Sequence, residues 1–225
     1  MNAVIYYSNT KESYNIASYI SKKIDYPILD IKSLLSFSFD SIFLVFPIHY
    51  QNIPKEIKKL IKKIKANKAI VLATYGRMSF GNVLYETKKI LDAKITLAAY
   101  IPVKHAYSSN QVHFNDFNRL DEIIPLINTN RVANIKRTKK NIFANFFPLL
   151  RHRLSIKIIK TDKCRNCGKC NLICDSIKNG IVIDKNCNRC LKCYYECEKK
   201  GLDIKMSKPM KNYLKNEKRN DFIIY

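Results

Sequence analysis

Long apolar runs are absent from this chain. Nothing in its 225 residues approaches the roughly 18 consecutive apolar residues that a membrane helix needs. Residues 1–13 carry no basic segment and no cleavage-site pattern, so no secretory signal is expected. Both absences point to the cytoplasm, a reducing compartment, where cysteines serve as metal ligands more often than as disulfides. Acidic residues are scarce: 18 Asp and Glu stand against 41 Lys and Arg, a net charge of +23. The surplus is spread out, with 16 basic and 7 acidic residues in 1–105, 11 and 4 in 106–163, and 14 and 7 in 164–225. That distribution excludes a single specialised basic tail. No helix-turn-helix or other recognition motif accompanies it, which counts against nucleic acid as the partner. Lysine, asparagine and isoleucine are abundant throughout, so compositional bias accounts for much of the charge. The sharper reading is an acidic partner, such as an acidic redox protein.

The hydrophobic content, 47%, allows a sizeable core. Over the first hundred residues strand and helix signals alternate. Residues 3–7 form a short apolar run expected as a buried strand, and 11–23 a helix with Tyr14, Ile16, Ala17 and Ile20 on its apolar side. Residues 27–31 are a weaker strand and 42–46 a strong one. Pro54 stands at a helix start, with Ile57, Leu60, Ile61 and Ile64 as its apolar stripe. Strand 69–74, helix 82–91 and strand 95–101 follow. This alternation predicts βαβ units, hence an α/β fold: a doubly wound, five-stranded parallel sheet of order 2-1-3-4-5, flavodoxin-like. Segment 108–160 is less regular; 120–127 looks helical, and 142–150 has the composition of an amphipathic helix. The expected organisation is a first domain at 1–107, a connecting segment at 108–160, a small α+β domain at 161–206 and a basic surface tail at 207–225.

All eight cysteines lie in the last third. Cys164-x2-Cys167-x2-Cys170-x3-Cys174 is repeated with identical spacing as Cys187-x2-Cys190-x2-Cys193-x3-Cys197. Thiolates separated by two residues can point inward from a tight loop and grip three corners of one iron–sulfur cube. In the bacterial run of this spacing the fourth cysteine ligates the other cluster. Two 4Fe–4S clusters are therefore expected, one on Cys164, Cys167, Cys170 and Cys197, the other on Cys187, Cys190, Cys193 and Cys174. Gly168 allows close backbone approach in the first loop. A pair of zinc sites is the plainer alternative, since C-x2-C pairs also build zinc ribbons, but zinc has no use for the third and fourth cysteines. Asp175 and Glu198 stand where the bacterial pattern has proline, a departure that touches loop rigidity and not ligation.

Three loops of the first domain carry a second signal. Ser8, Asn9, Thr10, Lys11, Glu12 and Ser13 follow the first strand and open a helix, and a hydroxyl-rich loop there can hold a phosphate. A plain helix cap by Ser8 or Thr10 is the simpler reading. Pro47, Ile48, His49 and Tyr50 follow the third strand, and Thr74, Tyr75 and Gly76 the fourth. These stretches resemble the three FMN loops of flavodoxins, with Asn9 and Lys11 in place of the family's glycines. With the cysteine repeat behind them, the order resembles the EFR family ferredoxins, flavodoxin–ferredoxin fusions of anaerobes, over 1–107 and 160–206. The resemblance implies FMN held by residues 8–13, with 47–50 and 74–76 around the ring. Tyr50 and Tyr75 are then candidates to stack on it. His49 and His105 are read as surface or hydrogen-bonded loop residues, while His113 and His152 carry no motif.

Joining clusters to FMN would couple one-electron ferredoxin chemistry to a carrier of one or two electrons. The expected function is electron transfer with a redox partner protein. The alternatives are an FMN-dependent reductase of a small molecule, with a pocket at 77–81 and 103–115; a redox-sensing nucleic-acid binder; and a first domain that has lost FMN and serves only as a scaffold.

Overall fold

The computed structural model describes every residue except 109–110, 142–143, 145–147, 185–186 and 216–218, with the backbone alone described at 148, 149 and 151. The chain divides into two compact units, Met1–Ala144 with Glu217–Tyr225, and Asn145–Asn216. No described helix is long and apolar enough to cross a membrane.

In the first unit, β1 (Asn2–Tyr6), β2 (Ile28–Asp30), β3 (Ser38–Pro47), β4 (Lys65–Tyr75) and β5 (Asp92–Pro102) form a parallel sheet of order β5-β4-β3-β1-β2. This is the doubly wound order expected from the sequence. Its strands are apolar on both sides because both faces are covered. Phe43, Val45, Ile70, Leu72, Leu97 and Ala99 pack on one face, with Ile16, Ala17 and Ile20 of α1 (Glu12–Ile24). Leu44, Phe46, Val71, Ala73 and Tyr100 pack on the other. There they meet Ile57 and Ile61 of α2 (Lys55–Ile61) and Val83 and Leu84 of α3 (Val83–Lys88). Ile64, expected on the α2 stripe, lies beyond the helix end but is fully buried.

Two expectations need correction. The connecting segment 108–160 is not a separate piece. Its first part folds onto the first unit through α4 (Phe117–Ile123), a 3-10 turn at Ile124–Asn128 containing Pro125, and Ala133 N–H, which donates to the Ile95 carbonyl at 2.9 Å. Its last part, α5 (Pro148–Ser155) and β6 (Ile156–Lys160), belongs to the second unit. Most of the expected helix at 142–150 lies outside the described residues.

Nor is 207–225 a plain tail. Ser207 caps α8 (Lys208–Leu214), accepting the Met210 N–H. At the chain end β10 (Ile223–Ile224) pairs antiparallel with β5, through Ile223 with Tyr100 and Ile224 with Ala99. The central sheet is thus six-stranded and mostly parallel. A lysine-rich stretch hides this strand from composition, yet its two isoleucines cover a β5 edge whose amides would otherwise lack partners.

The second unit runs β6, α6 (Lys169–Ile173), β7 (Ile177–Lys178), β8 (Ile181–Val182), α7 (Lys192–Tyr195), β9 (Leu202–Met206), α8. β6 pairs antiparallel with β9, and β7 with β8. Asn179 (φ 48°) and Gly180 (φ 81°) make the two-residue turn of the β7–β8 hairpin, the positive-φ pair such turns require.

Removal of residues 219–225 is expected to lower the melting temperature and promote self-association. It uncovers β5 and strips the Tyr75 hydroxyl of its 2.8 Å acceptor, the Asp221 carbonyl. The latter loss alone is worth about 1–3 kcal/mol. Calorimetry and light scattering check both effects.

Candidate cofactor sites

The first candidate site lies where the strand order reverses. The chain leaves β1 toward α1 on one face and β3 toward α2 on the other, so the loops at their carboxyl ends part and leave a crevice. The structure joins the three loops that the sequence singled out. Asn9 Nδ2 and His49 Nε2 are 3.2 Å apart, and the hydroxyls of Ser13 and Thr74, both buried, are 2.8 Å apart. Ile48 N–H donates to the Thr74 carbonyl at 2.8 Å.

Lys11 takes φ 67°, a left-handed backbone that suits glycine, and turns the chain into α1. Tyr50 and Gln51 are left-handed as well. Gly76 is required where it stands, since a Cβ there would lie 2.4 Å from the His105 ring.

Two side chains depart from expectation. Tyr75, a candidate for stacking, is 1% exposed. It packs edge-on to Phe80 and donates its hydroxyl to the Asp221 carbonyl, and burial pushes its pKa up to about 12. The core has claimed this ring, because its strand position faces the sheet's inner layer. Glu12 is buried at the start of α1, with its carboxylate on His113 Nδ1, a residue for which the sequence offered no motif. His105 is held in place by its amide, which donates to Gln111 Oε1 at 2.7 Å, and burial lowers its pKa to about 4. Burial likewise lowers the His49 pKa, with Glu56 opposing.

A flavin phosphate fits this loop in one respect and conflicts with it in another. Ser8, Thr10 and the left-handed turn at Lys11 lead into a helix whose first amides have no partners within the helix. The Glu12 carboxylate in that first turn is of the wrong sign for an anion.

The second candidate site is the pair of cysteine loops. Their backbones match. Asn166 (φ 53°) and Gly168 (φ 73°) flank Cys167, while Arg189 (φ 57°) and Leu191 (φ 62°) flank Cys190. Left-handed residues alternating with ordinary ones turn amides toward a common centre, the geometry of anion and iron–sulfur cradles. Gly168 and Leu191 then cap α6 and α7, which hold Cys170 and Cys193, while Cys174 caps the end of α6.

Cys193 is buried and its thiol is pushed up to about 12, by burial first and then by the neighbouring thiols of Cys190, Cys174 and Cys187. Cys170 and Cys174 of the first run and Cys197 of the second all pack against the small cluster that holds Cys193. At the other end Gly201, which the sequence did not flag, donates its N–H to Cys197 Sγ at 3.2 Å. A Cβ on Gly201 would lie 2.6 Å from the Cys164 Cα.

All eight cysteines are free of disulfides. Among the described residues no three His, Cys, Asp or Glu side chains converge as the ligands of a single metal ion do.

No protein-family model and no curated protein matches the chain. Solved structures align with it loosely. A putative flavoprotein from Bacteroides uniformis is 18% identical, at a TM-score of 0.35 over 46% of this chain and 91% of its own. The Trp repressor binding protein of Bacillus subtilis is 11% identical, at a TM-score of 0.30 over 58% and 99%. The flavodoxin-like reading of the first unit stands on strand order and not on these likenesses.

Two outcomes follow for the first site. His105 is neutral when buried, so the folded state is favoured above its unfolded pKa of about 6.5 and loses that advantage as pH falls toward 4. His105→Gln should flatten the pH dependence of stability in that window by up to about 3 kcal/mol, read by denaturant titration. Glu12→Gln, by removing a carboxylate worth about 1 kcal/mol of repulsion, should tighten FMN binding about fivefold in a fluorescence-quenching titration.

Proposed function

We propose that the chain is an electron-transfer protein that holds two 4Fe–4S clusters in its second unit and FMN in its first. The cluster ligands are Cys164, Cys167, Cys170 and Cys197 for one and Cys187, Cys190, Cys193 and Cys174 for the other. The observation that carries this reading is the matched pair of left-handed loops around Cys167 and Cys190.

A cubane takes one thiolate per iron, so its ligands stand around a body larger than a single ion. Zinc would leave the third and fourth cysteine of each run without a role. The protein-only core points the same way. Among the described residues, apart from Ile156, Cys187 and Leu191, the second unit's buried apolar residues are Ile177, Cys193 and Leu202. A core as small as the described one suits a unit that a metal or other staple helps to hold.

Clusters exchange one electron at a time and a flavin one or two. The chain's own part is to seat and tune them. Gly201 N–H on Cys197 Sγ stabilises negative charge on that sulfur, as hydrogen bonds to cluster sulfurs do. Ser8, Thr10 and the amides opening α1 would take the phosphate. The half-buried Tyr50, with Pro47, Ile48 and His49, would border the ring. Tyr75 takes no part beyond its backbone.

Purification without oxygen should give about eight iron, eight sulfide and one flavin per chain. Eight iron with no flavin, even after reconstitution with FMN, would leave a ferredoxin on a flavodoxin-shaped scaffold. Two zinc ions in place of iron would end the reading. Cys174→Ser should alter the electron paramagnetic resonance signal of the cluster that Cys187→Ser destroys. If it instead alters the one lost in Cys164→Ser, the crossed assignment is wrong.

A further inference from the structure

The second unit carries an open groove of about 630 Å3 that nothing above has used. Its walls come from α5, β6, the β7–β8 hairpin and the second cysteine loop. Arg153, Lys157, Lys160 and Arg189 bring four cations to it, and no Asp or Glu lines it among the described residues. Between them the surface is aliphatic. Leu154 is 70% exposed and Ile181 57%. Gly180 lies in the floor, and a Cβ placed there would stand 3.3 Å from Cys164 Sγ, so the missing side chain leaves that sulfur close to the groove surface.

We infer that this groove is the docking surface for an acidic electron-transfer protein. The inference rests on the electron-transfer reading for the kind of partner, and on the groove itself for the place. An aliphatic centre with arginine and a cationic rim matches the composition of protein interfaces, where the rim charges steer and orient the partner. Nucleic acid fits less well, because single strands need aromatic platforms for their bases and the lining contains no aromatic residue among the described residues. A membrane surface fits less well because α5 (PLLRHRLS) does not segregate an apolar face from its basic residues. The electron is the only thing exchanged at such a surface: one centre is oxidised, the other reduced, and no bond forms or breaks.

The test uses the full chain, purified without oxygen, and an acidic plant-type 2Fe–2S ferredoxin as the probe, with binding read by calorimetry at low salt. Lys157→Glu with Lys160→Glu should weaken binding by about tenfold or more. Lys58→Glu with Lys59→Glu, an equal charge change on the exposed side of α2, should weaken it by less than about twofold. Because Lys160 also donates to Asn166 at 2.5 Å, Leu154→Gln with Ile181→Ser provides a second variant at exposed positions, expected to weaken binding without changing the melting temperature.

Equal losses from groove and α2 reversals would overturn the proposal in favour of diffuse charge. So would unchanged probe binding alongside lost binding to phosphatidylglycerol vesicles or to a single-stranded oligonucleotide. Iron and sulfide are measured on the same samples. Clusters present without groove-dependent binding overturn the docking alone, whereas groove-dependent binding by a cluster-free chain keeps the surface and removes the electron-transfer reading.

Discussion

The parallel pairing of β1 with β3 is the constraint on which the first unit depends. Val4 opposes Phe43 and Tyr6 opposes Val45 in one direction of travel, so both strands deliver their carboxyl ends to the same edge of the sheet. Right-handed crossovers then force α1 and α2 to opposite faces. The crevice between the two loops is a consequence of chain direction, and it exists whatever side chains happen to line it. What the side chains decide is whether it stays open. Here Ser13–Thr74 and Asn9–His49 tie the loops together at their bases. The strained backbones of Lys11, Tyr50, Gln51 and Arg77 take the sharp turns that glycine would take elsewhere. Each left-handed non-glycine residue costs about 1 kcal/mol, and such costs persist only where the surrounding structure imposes them.

The second unit is governed by the opposite circumstance. Its strands are short, its hairpin has two residues on each side, and its buried apolar residues are few among those described. Side-chain burial cannot be what gives the two cysteine loops the same conformation, because one carries Asn166 and Gly168 where the other carries Arg189 and Leu191. The common factor is the cysteine spacing. A shared backbone reached by unrelated side chains is what a shared ligand would demand, and it is a stronger sign than either loop alone.

Legibility followed periodicity. The strands of the first unit were readable because a sheet covered on both faces needs unbroken apolar runs, and Ile42 to Phe46 or Ala69 to Ala73 can serve little else. Ile223 and Ile224 were not readable, since two residues have no period and their lysine-rich approach resembles a tail. The same limit hid the split of 108–160 between the units, for which contacts such as Ala133 with Ile95 are decisive and lie far apart in sequence. At the site, the loops could be found from strand ends, but the fate of individual side chains could not. Tyr75 and Tyr50 look alike in sequence. One faces Phe80 in the core and the other sits on a left-handed turn outside it, a difference set by strand register. Glu12 reads as an unremarkable first-turn carboxylate until His113 is seen against it.

The two cysteine loops, alike in backbone, differ in surroundings. Leu191 is fully buried, and burying a leucine is worth roughly 1.5–3 kcal/mol, enough to offset its left-handed strain. Gly168 needs no such offset and brings no cover. Accordingly Cys187 and Cys193 are buried while Cys167 is exposed. A centre that gains an electron gains negative charge, and burial away from water opposes that gain. On the proposed reading the first run, the wetter of the two, is the more easily reduced, and the second, enclosed by Leu191, the less. The repeat in the sequence would then encode two unequal sites, because one position in each loop chose glycine or leucine for the same backbone angle.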